Sequence, residues 1–304
     1  MNELEWLSKI YPYLDETFKN EDCATVKVGE KHLLFTTDAL VEDVHFSFSY
    51  FSYYDIGYKL GAINLSDIAA GGGSPLWGLL TLGARHIDER TLEFFDGLYT
   101  CLENKGARII GGDTVKSSTF FGNLALVGET DYPLLRKGAS PGDFIFVSRP
   151  LGESAAFLRL VKEKSLNEIP ENLKIAHLRP SPEVELGKML SELRIPSSCI
   201  DISDGLVLDL SRICEENNLG AVLWEENIPV GAGATLEEAL FGGEDYALLF
   251  TVSEENVSKI NDLEELLQRK LYLIGRITRE NKIYLKKGNE VVPLKKKGFD
   301  HFAK

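Results

Sequence analysis

The 304-residue sequence is short of paired cysteines, long hydrophobic runs and positive charge, and each shortage excludes a class of protein. Its four cysteines are scattered without a C-x-x-C pair, so we expect reduced thiols in a cytosolic protein. No stretch approaches about 18 consecutive apolar residues, which is the length needed to span a bilayer. The start, MNELEWLSKIYPYLDE, has acids where a secretory signal peptide has a basic end. We therefore expect a cytoplasmic protein.

Positive charge is scarce, with 33 Lys and Arg against 47 Asp and Glu, which gives a net charge of −14. Nucleic-acid binding depends on neutralisation of phosphates by Lys and Arg, so this balance disfavours a nucleic-acid partner. It equally disfavours attachment to an anionic membrane surface. A small phosphorylated ligand stays compatible with the charge, provided that metal ions accompany it.

The usual nucleotide-binding glycine motifs are missing as well. No predicted strand is followed by G-x-G-x-x-G or by G-x-x-x-x-G-K-[ST], so phosphate binding has to rest on other residues. Strands and helices alternate along the chain in two α/β halves of similar size. A turn-rich region, Pro133 to Asp143, separates the halves. We therefore place a domain boundary near residue 135, between residues 1–134 and 135–304.

Hydrophobic periodicity predicts the main elements of each half. In the first half, residues 31–37 are predicted as a strand and residues 53–70 as a buried helix. Residues 89–105 are predicted as an amphipathic helix whose apolar stripe is Leu92, Phe95, Tyr99 and Leu102. In the second half the main predicted elements are a strand at 144–148, helices at 182–193, 205–217 and 254–268, and a terminal hairpin around K-K-G-N-E.

Carboxylates recur beside Gly, Ser or Thr at the edges of apolar runs. The segments are N-E-D-C-A (20–24), T-T-D (36–38), N-L-S-D (64–67), G-G-D-T (111–114), D-I-S-D-G (201–205) and F-G-G-E-D-Y (241–246). Any one of them is typical of a turn or a helix N-cap. Their recurrence favours a cage for more than one Mg²⁺, which takes oxygen ligands and bridges polyphosphates. In this interpretation Asp38 stands at a strand end because the metal requires a rigid carboxylate there.

Asp67 is the acid that a turn explains least well. It follows Ile63, Leu60 and Ile56 by 4, 7 and 11 residues, so it shares their apolar helical stripe. An ionised carboxylate in that position is costly unless it is paired or binds a metal. The basic residue nearest in sequence, Lys59, lies off the stripe.

The same segments, in order, resemble those of one known family. T-T-D-x-L-V-x-x-x-H-F, N-L-S-D-I-A-A-G-G, I-I-G-G-D-T, D-I-S-D-G-L, F-G-G-E-D-Y and the terminal K-G-F-D-H-F are similar to the motifs of thiamine-monophosphate kinases. The match spans residues 20 to 302. Each motif alone is weakly specific, but the ordered set separates this family from superfamily relatives such as aminoimidazole ribonucleotide synthetase and selenophosphate synthetase.

The resemblance implies an enzyme of thiamine biosynthesis that phosphorylates thiamine monophosphate to thiamine diphosphate, with ATP as co-substrate and ADP as co-product. It implies a two-domain, mixed α/β, aminoimidazole ribonucleotide synthetase-like fold. The N-terminal domain would bind ATP and Mg²⁺ and would form a homodimer through its sheet, beside a C-terminal α/β domain. Several Mg²⁺ ions would hold the nucleotide.

The resemblance also implies roles for individual residues. The implied metal-site residues are Asp22, Thr36, Thr37, Asp38, Asp67, Asp113, Asp201 and Asp204. The residues implied to contact ATP are Gly112, Asp113, Arg136 and Ser203, with Phe95 as a candidate for stacking on adenine. The residues implied to contact the thiamine phosphate are His45, Glu244 and Phe299. Asp38, Asp204 and Arg136 are those expected to carry catalysis.

The sequence departs from the family pattern at two places. The family usually has Gly-Asp-Asp where this chain has Asn20-Glu21-Asp22, so the first metal site is expected to differ in shape. The pattern G-D-S-A-A-G becomes G-E-S-A-A-F at 152–157. Phe157 would either block a close backbone approach or be a packing change on a helix.

Three other interpretations are open at this point. The chain could be another ATP-dependent enzyme of the superfamily with a different acceptor, which His45, Glu244 and Phe299 would discriminate. It could be a non-catalytic nucleotide or thiamine-phosphate binding protein, or a structural α/β protein. Single residues also have structural alternatives: Arg136 as a solvated surface side chain and His45 as a satisfied core histidine.

Overall fold

The computed structural model describes Trp6, residues 9–13 and residues 21–295. The sequence features at Asn20 and Phe299 lie outside these residues. Within them the chain forms two sheets with helices packed on them, which confirms the predicted mixed α/β class. No helix in this part of the chain is both long and apolar enough to cross a membrane.

The first sheet has five strands and comes from residues before 131. Its strands are β1 (Ala24–Val28), β2 (Lys31–Val41), β3 (Ser74–Ala84), β4 (Arg108–Lys116) and β5 (Phe121–Thr130), in the order β1-β2-β5-β3-β4. β3 and β4 are parallel, and the other pairs are antiparallel. Helices α1 (Tyr53–Ala70) and α2 (Glu89–Glu103) belong to the same half. The edge strand β4 therefore lies three strands away from β2.

The second sheet has seven strands. They are β6 (Phe144–Val147), β7 (Ser198–Asp201), β8 (Gly220–Trp224), β9 (Leu248–Val252), β10 (Tyr272–Thr278), β11 (Ile283–Lys287) and β12 (Glu290–Pro293), in the order β12-β11-β8-β10-β6-β9-β7. The helices of this half are α3 (Glu153–Leu160), α4 (Glu171–Leu178), α5 (Val184–Glu192), α6 (Leu206–Glu216), α7 (Leu236–Phe241) and α8 (Val257–Leu267).

Helix α1 is the element that joins the halves. It starts at a capping box in which Ser52 and Asp55 each accept a hydrogen bond from the other's backbone N–H. It contacts β2, β5 and α2 in its own half, and α5 and β7 in the second half. Buried residues occur on every side of α1, as the all-round apolar sequence of residues 53–70 predicts.

Two features of the first half differ from the sequence prediction. β2 continues to Val41, so Asp38 lies within the strand and not at its end. The apolar stripe predicted for α2 is wrong: Leu92, Phe95 and Tyr99 are exposed at 61%, 38% and 58%, and only Leu102 is buried. The buried side is formed instead by Phe94, Leu98 and Cys101 with Gly97, because these residues face α1.

Elsewhere the predicted elements and the structure agree closely. The predicted helix 53–70 coincides with α1, and the terminal hairpin is β11–β12. The predicted helix 254–268 is a short 3₁₀ turn, Glu254–Asn256, followed by α8. Three short elements are absent from the sequence prediction: β1, α4 and α7, which are five, eight and six residues long.

Candidate active site

A cleft of about 1160 Å³ lies between the two halves of the molecule. Its lining combines residues of β2 and α1 with residues of the second half. The predicted site residues among them are Asp22, Thr36, Thr37, Asp38, His45, Asp67, Arg136, Asp201, Ser203, Asp204 and Glu244. The structure therefore brings eleven of the fifteen predicted positions to one cleft, although they are spread over more than two hundred residues.

Three carboxylates meet at the centre of the cleft. One oxygen each of Asp22, Asp67 and Asp201 lies within 4.8 Å of the others. Thr36 Oγ1 donates to Asp67, and Ser66 Oγ donates to Asp201 Oδ2 at 2.6 Å. The neighbouring Ser and Thr of the T-T-D and N-L-S-D segments thus hold carboxylates in place.

These acids are difficult to ionise together without a cation. Burial raises the pKa of Asp67 well above its usual range, and the charges of Asp38, Asp201 and Asp22 add to this effect. Burial and then Asp22 raise the pKa of Asp201 in the same direction. The pKa of Asp38 is raised to about 7 by burial, then by Asp204 and Asp22. Clustered carboxylate oxygens are the donor set that Mg²⁺ takes, so these residues fit a magnesium site.

Asp38 faces this cluster because of its position in β2. It is paired with Leu124 of β5, whose side chain is fully buried, so it points to the side of the sheet that α1 covers. Its backbone N–H donates to Asn64 Oδ1 of α1 at 3.1 Å. Thr37 points to the opposite side of the sheet, where it accepts a hydrogen bond from Asn123 Nδ2 at 3.0 Å. The cleft extends around the strand and reaches both side chains.

Arg136 is a partly buried cation of the cleft and not a solvated surface residue. Its side chain is 14% exposed, and Nη2 donates to Asp22. Its backbone N–H donates to Glu21 Oε2 at 2.8 Å, and its carbonyl accepts from Asn217 at 2.8 Å. Glu21, one of the departures from the family pattern, therefore holds the backbone of Arg136, and burial raises its own pKa to about 7.

The D-I-S-D-G segment forms a tight loop between β7 and α6. Asp209 Oδ2 accepts hydrogen bonds from the backbone N–H groups of Ser203, Asp204 and Gly205 at 3.1, 3.0 and 3.1 Å. Arg212 bridges Asp204 and Asp209 by ion pairs. The loop is thereby fixed with Asp204 and Ser203 at the cleft surface.

Another wall of the cleft carries side chains of other types than the carboxylate cluster, and His45 and Glu244 lie there. His45 Nδ1 accepts a hydrogen bond from Val41 N at 3.1 Å, which leaves the ring proton of the neutral form on Nε2. Glu244 Oε1 lies 2.7 Å from Lys59 Nζ, and Oε2 lies 3.4 Å from His177 Nδ1. Tyr50 and His177 also line the cleft, so this wall is partly aromatic.

Phe157 belongs to the packing behind this wall. Its ring is fully buried and stacks on His177 with centroids 4.8 Å apart and an interplanar angle of 17°. It also meets Tyr50 edge-on at 5.7 Å. Of the two possibilities for this departure from the family pattern, the structure therefore shows the packing change.

Four predicted positions do not line the cleft of this chain. Gly112 and Asp113 lie on the edge strand β4, and Phe95 lies on the exposed face of α2. Phe299 lies outside the described residues. By strand register Asp113 pairs with Thr81, which pairs with Asn123, so Asp113 shares the side of the sheet on which Thr37 and Asn123 lie.

The sequence analysis also missed residues that shape the site. Lys59, which lies off the apolar stripe of Asp67 in the sequence, pairs with Glu244. Arg212 follows Asp209 by one helical turn, and this spacing is a signal that could have identified it. His177 and Tyr50 had no local signal, because each is a single residue in an otherwise ordinary apolar segment.

Comparison with known proteins supports the same family. Residues 20–130 match the N-terminal domain model of AIR synthase related proteins, and residues 140–288 match the corresponding C-terminal domain model. The thiamine-monophosphate kinase of Buchnera aphidicola (strain APS) is 35% identical over 99% of this chain and 98% of the relative. The Escherichia coli K12 enzyme of the same name is 36% identical over 93% and 91%.

A solved structure shares both fold and sequence with the chain. It is AaThiL complexed with AMPPCP and TMP, which superposes with a TM-score of 0.87 and 31% identity, covering 99% of this chain and 97% of that one. The predicted two-domain, aminoimidazole ribonucleotide synthetase-like fold is thus confirmed. Two domain models over most of the chain and several relatives above 30% identity lead to one conclusion: the chain belongs to the thiamine-monophosphate kinase family of AIR synthase related proteins.

Proposed function

We propose that the protein transfers the terminal phosphoryl group of ATP to thiamine monophosphate, giving thiamine diphosphate and ADP. The observation that carries this proposal is the convergence of the acidic motifs and of His45 and Glu244 on one cleft. One part of the cleft is built for polyphosphate and metal, and another wall presents a carboxylate, imidazole and aromatic groups. Relatives named for this activity, and a similar structure that holds AMPPCP and TMP, support the assignment.

The chemistry requires positioning more than proton transfer. The nucleophile is a phosphate monoester with a second pKa of about 6, so it is largely a dianion near neutral pH and needs no general base. The difficulty lies in bringing two anions together in line. Arg136 supplies a partly buried positive charge at the cleft, and hydrogen bonds from Thr36 and Ser66 hold the carboxylates of Asp67 and Asp201.

Asp22, Asp67 and Asp201, with Asp38 and Asp204 beside them, are the residues that would hold Mg²⁺. Bound magnesium supplies neutralisation of the phosphate charges as they approach each other. The chain's own contribution is preorganisation: Thr36 and Ser66 orient carboxylates, and Asp209 and Arg212 fix the Asp204 loop. Ser203 is placed on the same loop, where it would contact ATP.

The protein acts as a homodimer in this proposal. The side of the first sheet that faces away from α1 carries exposed apolar side chains, with Phe35 exposed at 40%, Trp77 at 49% and Leu79 at 52%. Phe35 and Trp77 both pair with Val127, so they form a continuous row across three strands. A second copy of the chain would cover this row.

Dimerisation through this side also gives Asp113 and Gly112 a role. They lie at the sheet edge away from their own cleft, and Asp113 is on the open side that a second copy would cover. We assign them to the nucleotide site of the partner subunit. Phe95, on the exposed side of α2, remains a weaker candidate for adenine stacking. The domain boundary near residue 135 and a cytoplasmic location are part of the same proposal.

The alternative against which the acceptor has to be tested is a superfamily enzyme that uses another acceptor. Metal-binding carboxylates would serve any ATP-dependent member, whereas His45, Glu244 and His177 make up the wall that would choose the acceptor. The test is an ADP-release assay with ATP and Mg²⁺ in which thiamine monophosphate, unphosphorylated thiamine and aliphatic phosphate monoesters are compared as acceptors. Acceptor-dependent ADP release with thiamine monophosphate alone supports the proposal. Equal release with the aliphatic monoesters would contradict it.

A further inference from the structure

Lys59 is a fully buried cation in the middle of α1. Its side chain is 0% exposed, and its Nζ lies 2.7 Å from Glu244 Oε1. Glu244 is the sole ion-pair partner of Lys59 in the described part of the chain. A buried ammonium is costly unless it is paired, so the side chain of Lys59 is committed to this carboxylate. Lys59, which the sequence places off the apolar stripe of Asp67, is therefore not the partner of that acid.

Glu244 is held from two directions. Its backbone has a φ of 54°, and Tyr246 has a φ of 47°, which non-glycine residues adopt only when their surroundings impose it. Glu244 N donates to Ser203 O at 2.7 Å, and Tyr246 N donates to Ile202 O at 2.8 Å. The second-half loop therefore fixes the backbone of Glu244, while Lys59 from the first half fixes its carboxylate.

His177 completes the surroundings of Glu244 without adding charge. Its Nδ1 lies 2.9 Å from Ser154 Oγ and 3.4 Å from Glu244 Oε2. Burial, with the charge of Lys59 in addition, lowers the pKa of His177 to about 3, so its ring is neutral at physiological pH. Burial raises the pKa of Glu244, but the charge of Lys59 is the largest opposing effect, and the pKa is lowered overall. Lys59 is thus the full positive charge that keeps Glu244 ionised.

We propose that Lys59 is a positioning residue for the acceptor: its ammonium holds the Glu244 carboxylate in one orientation at the cleft wall, ready to bind the thiamine part of thiamine monophosphate. That part consists of an aminopyrimidine ring, which offers N–H donors, and a separate thiazolium ring, which carries a positive charge. This inference rests on the proposed function, in which Glu244 contacts the acceptor. Lys59 itself lies behind Glu244 and does not line the cleft, so it acts through that carboxylate. A purely structural pair, joining α1 to the second half, would stabilise the fold and leave acceptor binding unchanged.

The experiment compares the wild-type protein with Lys59→Met, which removes the charge and keeps the length of the side chain. We expect the KM for thiamine monophosphate to rise by about tenfold or more, with the KM for ATP unchanged within about twofold. Arg179→Met is the matched control, because Arg179 also joins the second half to α1, through Asp55 at 2.5 Å, and does not line the cleft. It should leave both KM values unchanged.

A double-variant comparison keeps the inference testable if Lys59→Met does not fold. Removing both charges, in Lys59→Met with Glu244→Gln, leaves no uncompensated buried ion. Because Lys59 acts through Glu244, this double variant should have the same KM for thiamine monophosphate as Glu244→Gln alone. A further rise of about tenfold in the double variant would overturn the proposal.

The outcomes separate this inference from the function on which it rests. If the wild-type protein forms no thiamine diphosphate, the proposed function is wrong and the inference falls with it. If the wild-type protein is active and Lys59→Met lowers only the melting temperature, as Arg179→Met does, the pair is a structural link and the inference alone is overturned.

Discussion

Asp38 is a carboxylate whose charged neighbours in the cleft, Asp204 and Asp22, are also acids. The fold does not require a charge at this position. The strand pairs through its backbone, and Leu40, on the same side of the strand, shows that an apolar side chain packs there. An acid that is partly buried and repelled by its neighbours is typical of a functional site. Its role is therefore tested most cleanly by removal of the charge alone.

We predict that Asp38→Asn lowers kcat for thiamine diphosphate formation by at least about a hundredfold, since a positioned magnesium is worth several kcal/mol to phosphoryl transfer. The melting temperature should be unchanged or higher, because a repelled buried charge is removed. Steady-state kinetics and thermal unfolding measure both quantities. Asp43→Asn is the matched control, because Asp43 is exposed in a turn with a φ of 63° that Asn tolerates. Retention of most of the activity in Asp38→Asn would contradict the role given to this carboxylate.

Asp245, beside Glu244, provides a pH-dependent prediction. Burial raises its pKa to about 8, and its Oδ1 accepts a hydrogen bond from Gly152 N at 2.8 Å. The folded state therefore favours the protonated form: the stabilisation is complete below the unfolded pKa near 3.8 and is lost as the pH rises through about 8. Asp245→Asn cannot ionise, so relative to this variant the wild-type protein should lose up to about 1.4 kcal/mol per pH unit between pH 5 and 8. If the unfolding free energies of the wild-type protein and of Asp245→Asn change equally with pH between pH 5 and 8, the raised pKa assigned to Asp245 is contradicted.

The sequence predicts which residues belong to the site better than it predicts which residues pair with each other. Asp67 is identifiable from the sequence because a carboxylate on an apolar helical stripe needs a partner. Thr36 donates a hydrogen bond to it, and its acidic neighbours make it part of the candidate metal site. The pairing of Lys59 with Glu244 was not predictable, because 185 positions separate the two residues and only tertiary packing brings them together.

At the scale of elements, α1 and α2 approach each other through glycines. A Cβ on Gly57 would lie 1.9 Å from Phe94 O, and one on Gly97 would lie 2.0 Å from Tyr54 O. The two backbones are thus in direct contact, which explains why the buried side of α2 is centred on Gly97 and not on the larger apolar residues. Periodicity alone favoured the stripe of Leu92, Phe95 and Tyr99, since it gives glycine no weight as a packing residue.

We predict that Gly57→Ala destabilises the fold by about 3 kcal/mol or more, because the methyl group meets a backbone oxygen that cannot move without separating the helices. Gly61→Ala, one turn further along α1, should cost much less. Its nearest contact would be Cys101 Cβ at 3.1 Å, and alanine favours the helix by about 1 kcal/mol. Urea unfolding measures both, and equal stability of the two variants would show that the helices can separate freely.

Strand β2 shows a second limit of prediction at this scale. The polar run Thr36-Thr37-Asp38 predicts the end of a strand, but the strand continues to Val41. Its polar side chains have partners on both sides of the sheet, Asp67 for Thr36 and Asn123 for Thr37. A sequence shows that such residues are polar, and it does not show that their partners come from other elements.

At the scale of the whole molecule, the open side of the first sheet predicts the state of association. We expect a dimer of the 33.9 kDa chain in sedimentation velocity. Leu79→Glu should yield monomers, because a charge among the exposed apolar side chains on this side of the sheet cannot be buried against a second copy. Leu266→Glu is the control, because Leu266 is 68% exposed on α8, outside that sheet. A Leu79→Glu variant that sediments like the wild-type protein would place the interface elsewhere.

The monomeric variant also tests the assignment of Asp113. If Asp113 and Gly112 complete the nucleotide site of a partner subunit, loss of the dimer should weaken ATP binding although no residue of the cleft has changed. The sequence predicted these residues as site residues, and the register of β4 explains why a single chain does not bring them to its cleft.

The central claim is that ATP and thiamine monophosphate meet in the cleft between the two halves and exchange a phosphoryl group directly. Phosphorus NMR of the protein with ATP, Mg²⁺ and thiamine monophosphate, beside a sample without the thiamine compound, tests this most directly. We predict new signals of a diphosphate ester that grow in equal amount with ADP, and only in the complete mixture. ADP that accumulates together with free inorganic phosphate would instead show hydrolysis and would contradict the claim.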